Sequence, residues 1–183
     1  QHSMRAVFDW SWRLLSDAER QVLRQLSVFR GGFTREAATT VAGASLRLLA
    51  GLVHKSLLHW RPGEGVAGRY EIHELLRQFA AEHLTASRER AAVEARHGQY
   101  YLSFMAERER RLTRNEPRVA AAEVRGELDN VRQAWAWATS QGRVDELYRT
   151  AHSLGQFYML STEPAGQRLC RDHTGKSEQL FHC

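Results

Sequence analysis

The sequence predicts a mainly α protein, in which a helical group carrying one two-stranded β-hairpin precedes antiparallel helix pairs. Three observations lead to that class. Apolar residues recur at helical spacing along most of the chain. Between Ser56 and Ile72 the spacing shortens to that of strands. Glycine and proline then mark where one element gives way to the next. With 183 residues and 43% apolar content the chain can bury one large core or two small ones.

The elements follow in order. Met4 to Leu15 reads as a helix with Val7, Trp10 and Leu14 on one stripe. Ser16-Asp17-Ala18-Glu19 has the form of a capping box, in which serine and glutamate satisfy opposite backbone donors at a helix start. Val22, Leu23, Leu26 and Phe29 continue that helix until Gly31-Gly32 ends it. Thr34 caps a short helix through Val41, and Gly43-Ala44-Ser45 turns into another whose apolar face is Leu46, Leu49, Leu52 and Val53. Ser56 to Trp60 and Arg69 to Ile72 are the two strands, separated by the turn signal Arg61-Pro62-Gly63-Glu64-Gly65. A helix from His73 to Leu84 turns Leu76, Phe79, Ala80 and Leu84 inward.

A compact helical group with a hairpin is the plan of a winged helix, assigned to residues 1–86. The hairpin must pack on the helices, because two strands alone are not stable in water. Residues 87–163 are helical throughout and form a region like tetratricopeptide repeats. One charged helix carries Val93, Tyr100, Tyr101, Phe104, Met105 and Leu112. Asn115-Glu116-Pro117 breaks it from a segment with Val124, Leu128, Val131 and Trp135 on one stripe. After Gly142 a further helix presents Leu147, Ala151, Leu154 and Tyr158. The last two helices have the size of a tetratricopeptide unit without its consensus. Such pairs leave an apolar side uncovered unless another repeat follows, which, with the abrupt helical start, predicts a piece of something longer. Residues 164–183 form a divergent tail.

The net charge of +5 permits contact with nucleic acid or an acidic partner and demands neither, since the arginines alternate with glutamates. No apolar run approaches membrane-spanning length, so no membrane partner is expected. Two cysteines, Cys170 and Cys183, make no disulfide framework and fit a reducing cytoplasm. Metal binding by them with His173 and His182 is weakly supported. Gly175-Lys176-Ser177 resembles the end of a phosphate loop, but Cys170 stands where the loop needs glycine, so no nucleotide loop is assigned. No nucleophile set or paired carboxylates stand out, and the chain alone is read as no enzyme.

In a DNA-binding reading, the helix from Leu46 would enter the major groove with Arg47, His54 and Lys55, and Arg61 and Arg69 on the hairpin would touch phosphate. Those are thin resources for base readout, and direct DNA binding is not the favoured reading. Trp10 and Trp135 fall on apolar stripes and are assigned to the core; Trp12 and Trp137 lie off the stripes, where facing a neighbouring domain is the alternative, and packing is the stronger account for all four. His73 stands where a strand becomes a helix start, a place suited to an anion. The alternative is a histidine that merely caps the helix or packs the hairpin.

Phe8-Asp9-Trp10-Ser11-Trp12-Arg13-Leu14-Leu15-Ser16 and Leu26-Ser27-Val28-Phe29-Arg30-Gly31-Gly32-Phe33-Thr34 strongly resemble the STAND-class predicted ATPases of bacteria. So do Leu52-Val53-His54-Lys55-Ser56-Leu57-Leu58, Tyr70 through Ala80, Arg96-His97 with Tyr100-Tyr101, and Glu127-Leu128-Asp129-Asn130-Val131-Arg132. The resemblance implies a P-loop NTPase domain ahead of this chain, holding ADP or ATP with Mg, and a role in transcriptional regulation. Ile72-His73-Glu74 is similar to the Met-His-Asp motif of the related NB-ARC proteins, whose histidine touches the β-phosphate of ADP. It implies that His73 senses nucleotide held by the adjacent domain, which counts as a partner. The repeats are then expected to receive a protein or small-molecule signal, and assembly into an oligomer on activation is compatible. A non-catalytic interaction scaffold is the remaining alternative.

Overall fold

The computed structural model describes residues 2–63 and 67–162; the expectations placed on residues 164–183, including both cysteines and Gly175-Lys176-Ser177, lie outside them. The described elements are α1 (His2–Arg13), α2 (Asp17–Leu26), β1 (Phe33–Thr34), α3 (Arg35–Ala42), α4 (Leu46–His54), β2 (His59–Arg61), β3 (Arg69–Glu71), α5 (Glu74–Ala86), α6 (Arg90–Arg110), α7 (Pro117–Ser140) and α8 (Val144–Thr162). A π-helical turn, Arg111–Asn115, leads from α6 to α7. The chain is mainly helical and contains a winged-helix arrangement with one small antiparallel sheet.

Local chemistry sets the helix starts. Ser16 and Glu19 form the expected capping box of α2. Thr34 accepts from Ala37 N at 3.2 Å to open α3, and Ser45 accepts from Leu48 N at 3.3 Å to open α4. Gly43 closes α3 with φ of 61°, where a side-chain-bearing residue would be strained. Pro117 begins α7, where its missing N–H costs nothing.

The sheet has three strands rather than the two expected. Phe33 pairs with Tyr70 and Thr34 with Arg69, so β1 lies beside β3, and β3 is central in the order β1-β3-β2. Two residues are too few to show a period in sequence, and the pairing partner lies far along the chain.

Helix α1 packs on α5 with the opposite face from the one its periodicity suggested. Val7, Trp10 and Leu14 are 56%, 64% and 59% exposed. Phe8, Trp12 and Leu15 face inward instead, and Trp12 stacks on His83 with ring centroids 4.2 Å apart. The assignment of Trp10 to the core is therefore corrected, and Trp12 takes that role. The reason is geometric: positions 8, 12 and 15 form a helical stripe as regular as 7, 10 and 14, and only the tertiary partner chooses between them. Trp137 likewise packs within the protein, its ring seated on Gly98 of α6. Leu46, expected on the buried face of α4, is exposed. On α8 the inward face is Leu147, Thr150, Ser153, Leu154 and Phe157, while Ala151 and Tyr158 point outward.

Buried side chains form one continuous cluster from Leu15 to Phe157, running from the winged helix into the helices after it. Polar contacts cross the same junction. Arg24 Nη2 meets Glu89 at 3.0 Å, Arg96 Nε donates to Val41 O at 2.8 Å, and Gln133 Nε2 donates to Val28 O at 2.9 Å.

Candidate functional site

Strand β3 runs into α5 through Ile72, and His73 is the N-cap of α5. Its Nδ1 accepts from Leu75 N at 3.3 Å. The capping role foreseen as the alternative is thus realised, and it has a chemical consequence. A neutral imidazole that accepts at Nδ1 carries its proton on Nε2. His73 is exposed, so that N–H remains available to an acceptor outside the chain. An anion placed there would also meet the positive end of α5.

The charges around the corner are largely matched internally. Arg77, one turn into α5, binds Glu74 through Nε and Nη2, each at 2.8 Å, and donates from Nη1 to Ser27 O at 3.0 Å. Hydrogen bonds from Arg77, aided by Gln78 and Arg30, pull the Glu74 carboxyl down to about 2. Burial lowers the pKa of Arg30, and the neighbouring Arg77 charge adds to the effect. Beside the corner lies a cleft of about 230 Å³ lined by Phe29, Gly31, Gly32, Ile72, Glu74 and Arg77, among others. Pockets that enclose drug-sized ligands run from about 300 to 1,000 Å³. This corner can therefore offer an edge to a nucleotide and not a container for one.

The four cations considered for phosphate contact are divided by the fold. Lys55 Nζ lies 2.7 Å from Glu19 Oε1, Arg61 Nε lies 2.9 Å from Glu71, and Arg69 is paired with Glu127 of α7. Arg47 is exposed and, among the described residues, makes no ion pair or hydrogen bond. Between α4, the β2–β3 wing and helices α6 and α7 runs an open groove of about 1430 Å³. Leu46, Ala50, Val53 and Trp60 line one wall, and Tyr100 and Phe104 the other. The α4 face turned to this groove is apolar rather than cationic, which suits a protein surface better than a phosphate backbone.

Sequence reasoning assigned no function to the buried polar cluster beneath the wing. Glu127 accepts from Arg69 at one oxygen and from Tyr101 Oη and Asn130 Nδ2 at the other, at 2.8 and 3.1 Å. Asn130 Nδ2 also donates to Gly32 O at 2.9 Å, and its Oδ1 accepts from Arg30 N at 2.7 Å. His97 Nε2 lies 3.3 Å from the same Oδ1. Because that oxygen already accepts from a backbone amide, His97 must be the donor. Burial drops the His97 pKa to about 4 and drives that of Tyr101 far up. The only advance signal was the motif Glu127-Leu128-Asp129-Asn130-Val131-Arg132, which spacing alone could not attach to the wing.

Among the described residues no group of three or more His, Cys, Asp or Glu is placed to hold a metal ion, and no single helix is long and apolar enough to cross a membrane.

Comparison with known proteins reaches the same arrangement. Residues 15–85 match the model of a winged helix-turn-helix domain. The chain is 38% identical over 162 residues to proteins of Mycobacterium tuberculosis and Mycobacterium bovis provisionally described as HTH-type transcriptional regulators, an alignment covering 84% of this chain and 18% of each relative. It is 34% identical over 108 residues to an uncharacterised protein of Mycobacterium tuberculosis, covering 55% of this chain and 27% of that one. The chain thus spans less than a fifth of the length of the first of these relatives. No solved structure matches.

Proposed function

We propose that this chain is the winged-helix and helical-repeat portion of a STAND-type transcriptional regulator, in which His73 reads the nucleotide held by an adjoining NTPase domain. One observation carries the reading: the exposed Nε2–H of a histidine whose other nitrogen is committed to capping α5. The small adjacent cleft is consistent with an ADP or ATP, with Mg, that belongs to the neighbouring domain. Chemistry on the nucleotide belongs to that domain, and this chain is non-catalytic. The helices beyond α5 receive a protein or small-molecule signal. Relatives provisionally described as transcriptional regulators support the regulatory setting. The nucleotide acts as a switch only if it favours one domain arrangement over the other.

The test is made in the protein that carries the NTPase domain. His73→Ser keeps an oxygen able to cap α5 while removing the imidazole. Loss of one hydrogen bond to a charged phosphate, about 1.5 kcal/mol or more, weakens ADP retention roughly tenfold. Wild-type ADP affinity in a folded His73→Ser protein would falsify the role.

The second reading is direct DNA binding by α4 and the wing. The match of residues 15–85 to a winged helix-turn-helix domain and the unpaired, exposed Arg47 favour it. Binding of this chain to one duplex sequence over others, weakening steeply with salt and lost in Arg47→Ala, would establish it. The apolar α4 face and the internal pairing of Lys55, Arg61 and Arg69 place it second.

A further inference from the structure

The corner that bears His73 is held from below by α7. Two attachments converge on it. Through the first, Glu127 grips Arg69 at the start of β3, four residues before His73 on the same run of chain. Through the second, α7 holds the segment from Ser27 to Gly32. Gln133 donates to Val28 O, and Asn130 bonds Arg30 N and Gly32 O at once. Arg77 of α5 donates to Ser27 O at the near end of that segment. Gly32 presses directly against β3: a Cβ there would stand 2.9 Å from Tyr70 O and 3.2 Å from Glu71 Cγ. A path of direct contacts therefore joins α7, the Ser27–Gly32 segment, β3 and the first turn of α5.

We infer that Glu127 and Asn130 are positioning residues for His73, through which the packing state of the helical layer sets the geometry of the nucleotide-reading corner. The inference rests on the function proposed above for His73 and names how that site is regulated. Glu127 is 4% and Asn130 0% exposed, and every polar atom of both side chains has a partner. Arg69 Nη2 and Gln133 Oε1 at the edges of the network are buried without a partner, but at its centre Glu127 and Asn130 are fully paired, and a buried pair held by that many bonds resists displacement of one member without the other. A rigid-body shift of α7 must then either break these bonds or carry β3 and the glycine segment with it. Coupling of this kind needs such contiguous contacts, and it is reciprocal, so nucleotide at His73 would in turn alter the helical layer.

The experiment uses the 183-residue chain without nucleotide. Asn130→Ala and Glu127→Gln are compared with the native protein by amide hydrogen exchange, residue by residue. Coupling predicts that exchange at Leu75 and its neighbours in the first turn of α5 rises roughly tenfold, while the distal part of α5 around Leu84 is unchanged. If Asn130→Ala does not fold, Gln133→Ala removes only the outermost attachment and gives the same pattern at lower amplitude. Exchange that rises equally across α5, or only in α7 and residues 27–32, overturns the inference. Its fate is separable from that of the nucleotide reading. Selective loosening of the corner together with unchanged ADP affinity in His73→Ser keeps the coupling and discards the nucleotide role.

Discussion

Acid should weaken this fold through one buried histidine. His97 is 1% exposed and its pKa is lowered to about 4, chiefly by burial. In the unfolded chain the same ring titrates near 6.5. Between those values the unfolded state binds the proton and the folded state does not, so stability falls as pH drops from 6.5 to 4. Integrating across the interval gives a loss of about 2 kcal/mol by pH 5 and about 3 kcal/mol by pH 4. For a domain whose whole stability is on the order of 5–15 kcal/mol, that is a large share. His83, lowered mainly by burial, acts in the same direction, and the carboxylates contribute their own acid dependence. The decisive measurement is therefore a difference. Urea unfolding of the native protein and of His97→Phe is followed at pH 7, 6, 5 and 4.5. The phenyl ring keeps the contacts with Phe29 and Tyr101 and cannot titrate. It gives up the bond to Asn130, so the variant starts about 1 kcal/mol lower at pH 7. The gap should close at about pH 5.7 and be reversed by about 1 kcal/mol at pH 5. Parallel pH profiles for the two proteins would refute the reasoning.

Two glycines carry further predictions. A Cβ on Gly98 would stand 2.1 Å from Trp137 Cε3, so Gly98→Ala forces α6 and α7 apart or expels the ring; overpacking outweighs the better helix propensity of alanine, and thermal unfolding should show a net loss of about 2 kcal/mol. Replacing Trp137 with leucine in the same chain should recover part of that loss. Gly32→Ala meets both a φ of 94° and the Tyr70 carbonyl at 2.9 Å; denaturant titration should register a loss of roughly 2 kcal/mol or more.

Much of the fold was legible because its signals are local. The Ser16–Glu19 box, the Thr34 and Ser45 caps, the glycine stop after α3 and Pro117 at the start of α7 each act within one helical turn. What escaped depends on distant partners. Strand β1 owes its existence to Tyr70 and Arg69. The orientation of α1 was chosen by Phe79 and His83, which meet Trp12 rather than Trp10. On α8 the inward face turned by about one position, because Phe157 rather than Tyr158 reaches the core. For the candidate site, the strand-to-helix setting of His73 could be read from alternation followed by helical spacing. The commitment of Arg69 to Glu127, 58 positions away, could not. Charge at a position is visible in sequence; whether that charge is already engaged is not.

The outward stripe of α1 bears on how this molecule behaves by itself. Three bulky hydrocarbon side chains, each more than half bare, sit a turn apart on a single ridge, and scattered charge elsewhere does not neutralise such a ridge. At high protein concentration these ridges will find one another, so that sedimentation or light scattering reports attraction between copies. Exchanging Val7, Trp10 and Leu14 for polar residues should abolish that attraction and leave the melting temperature almost untouched, since none of the three lends support to the interior.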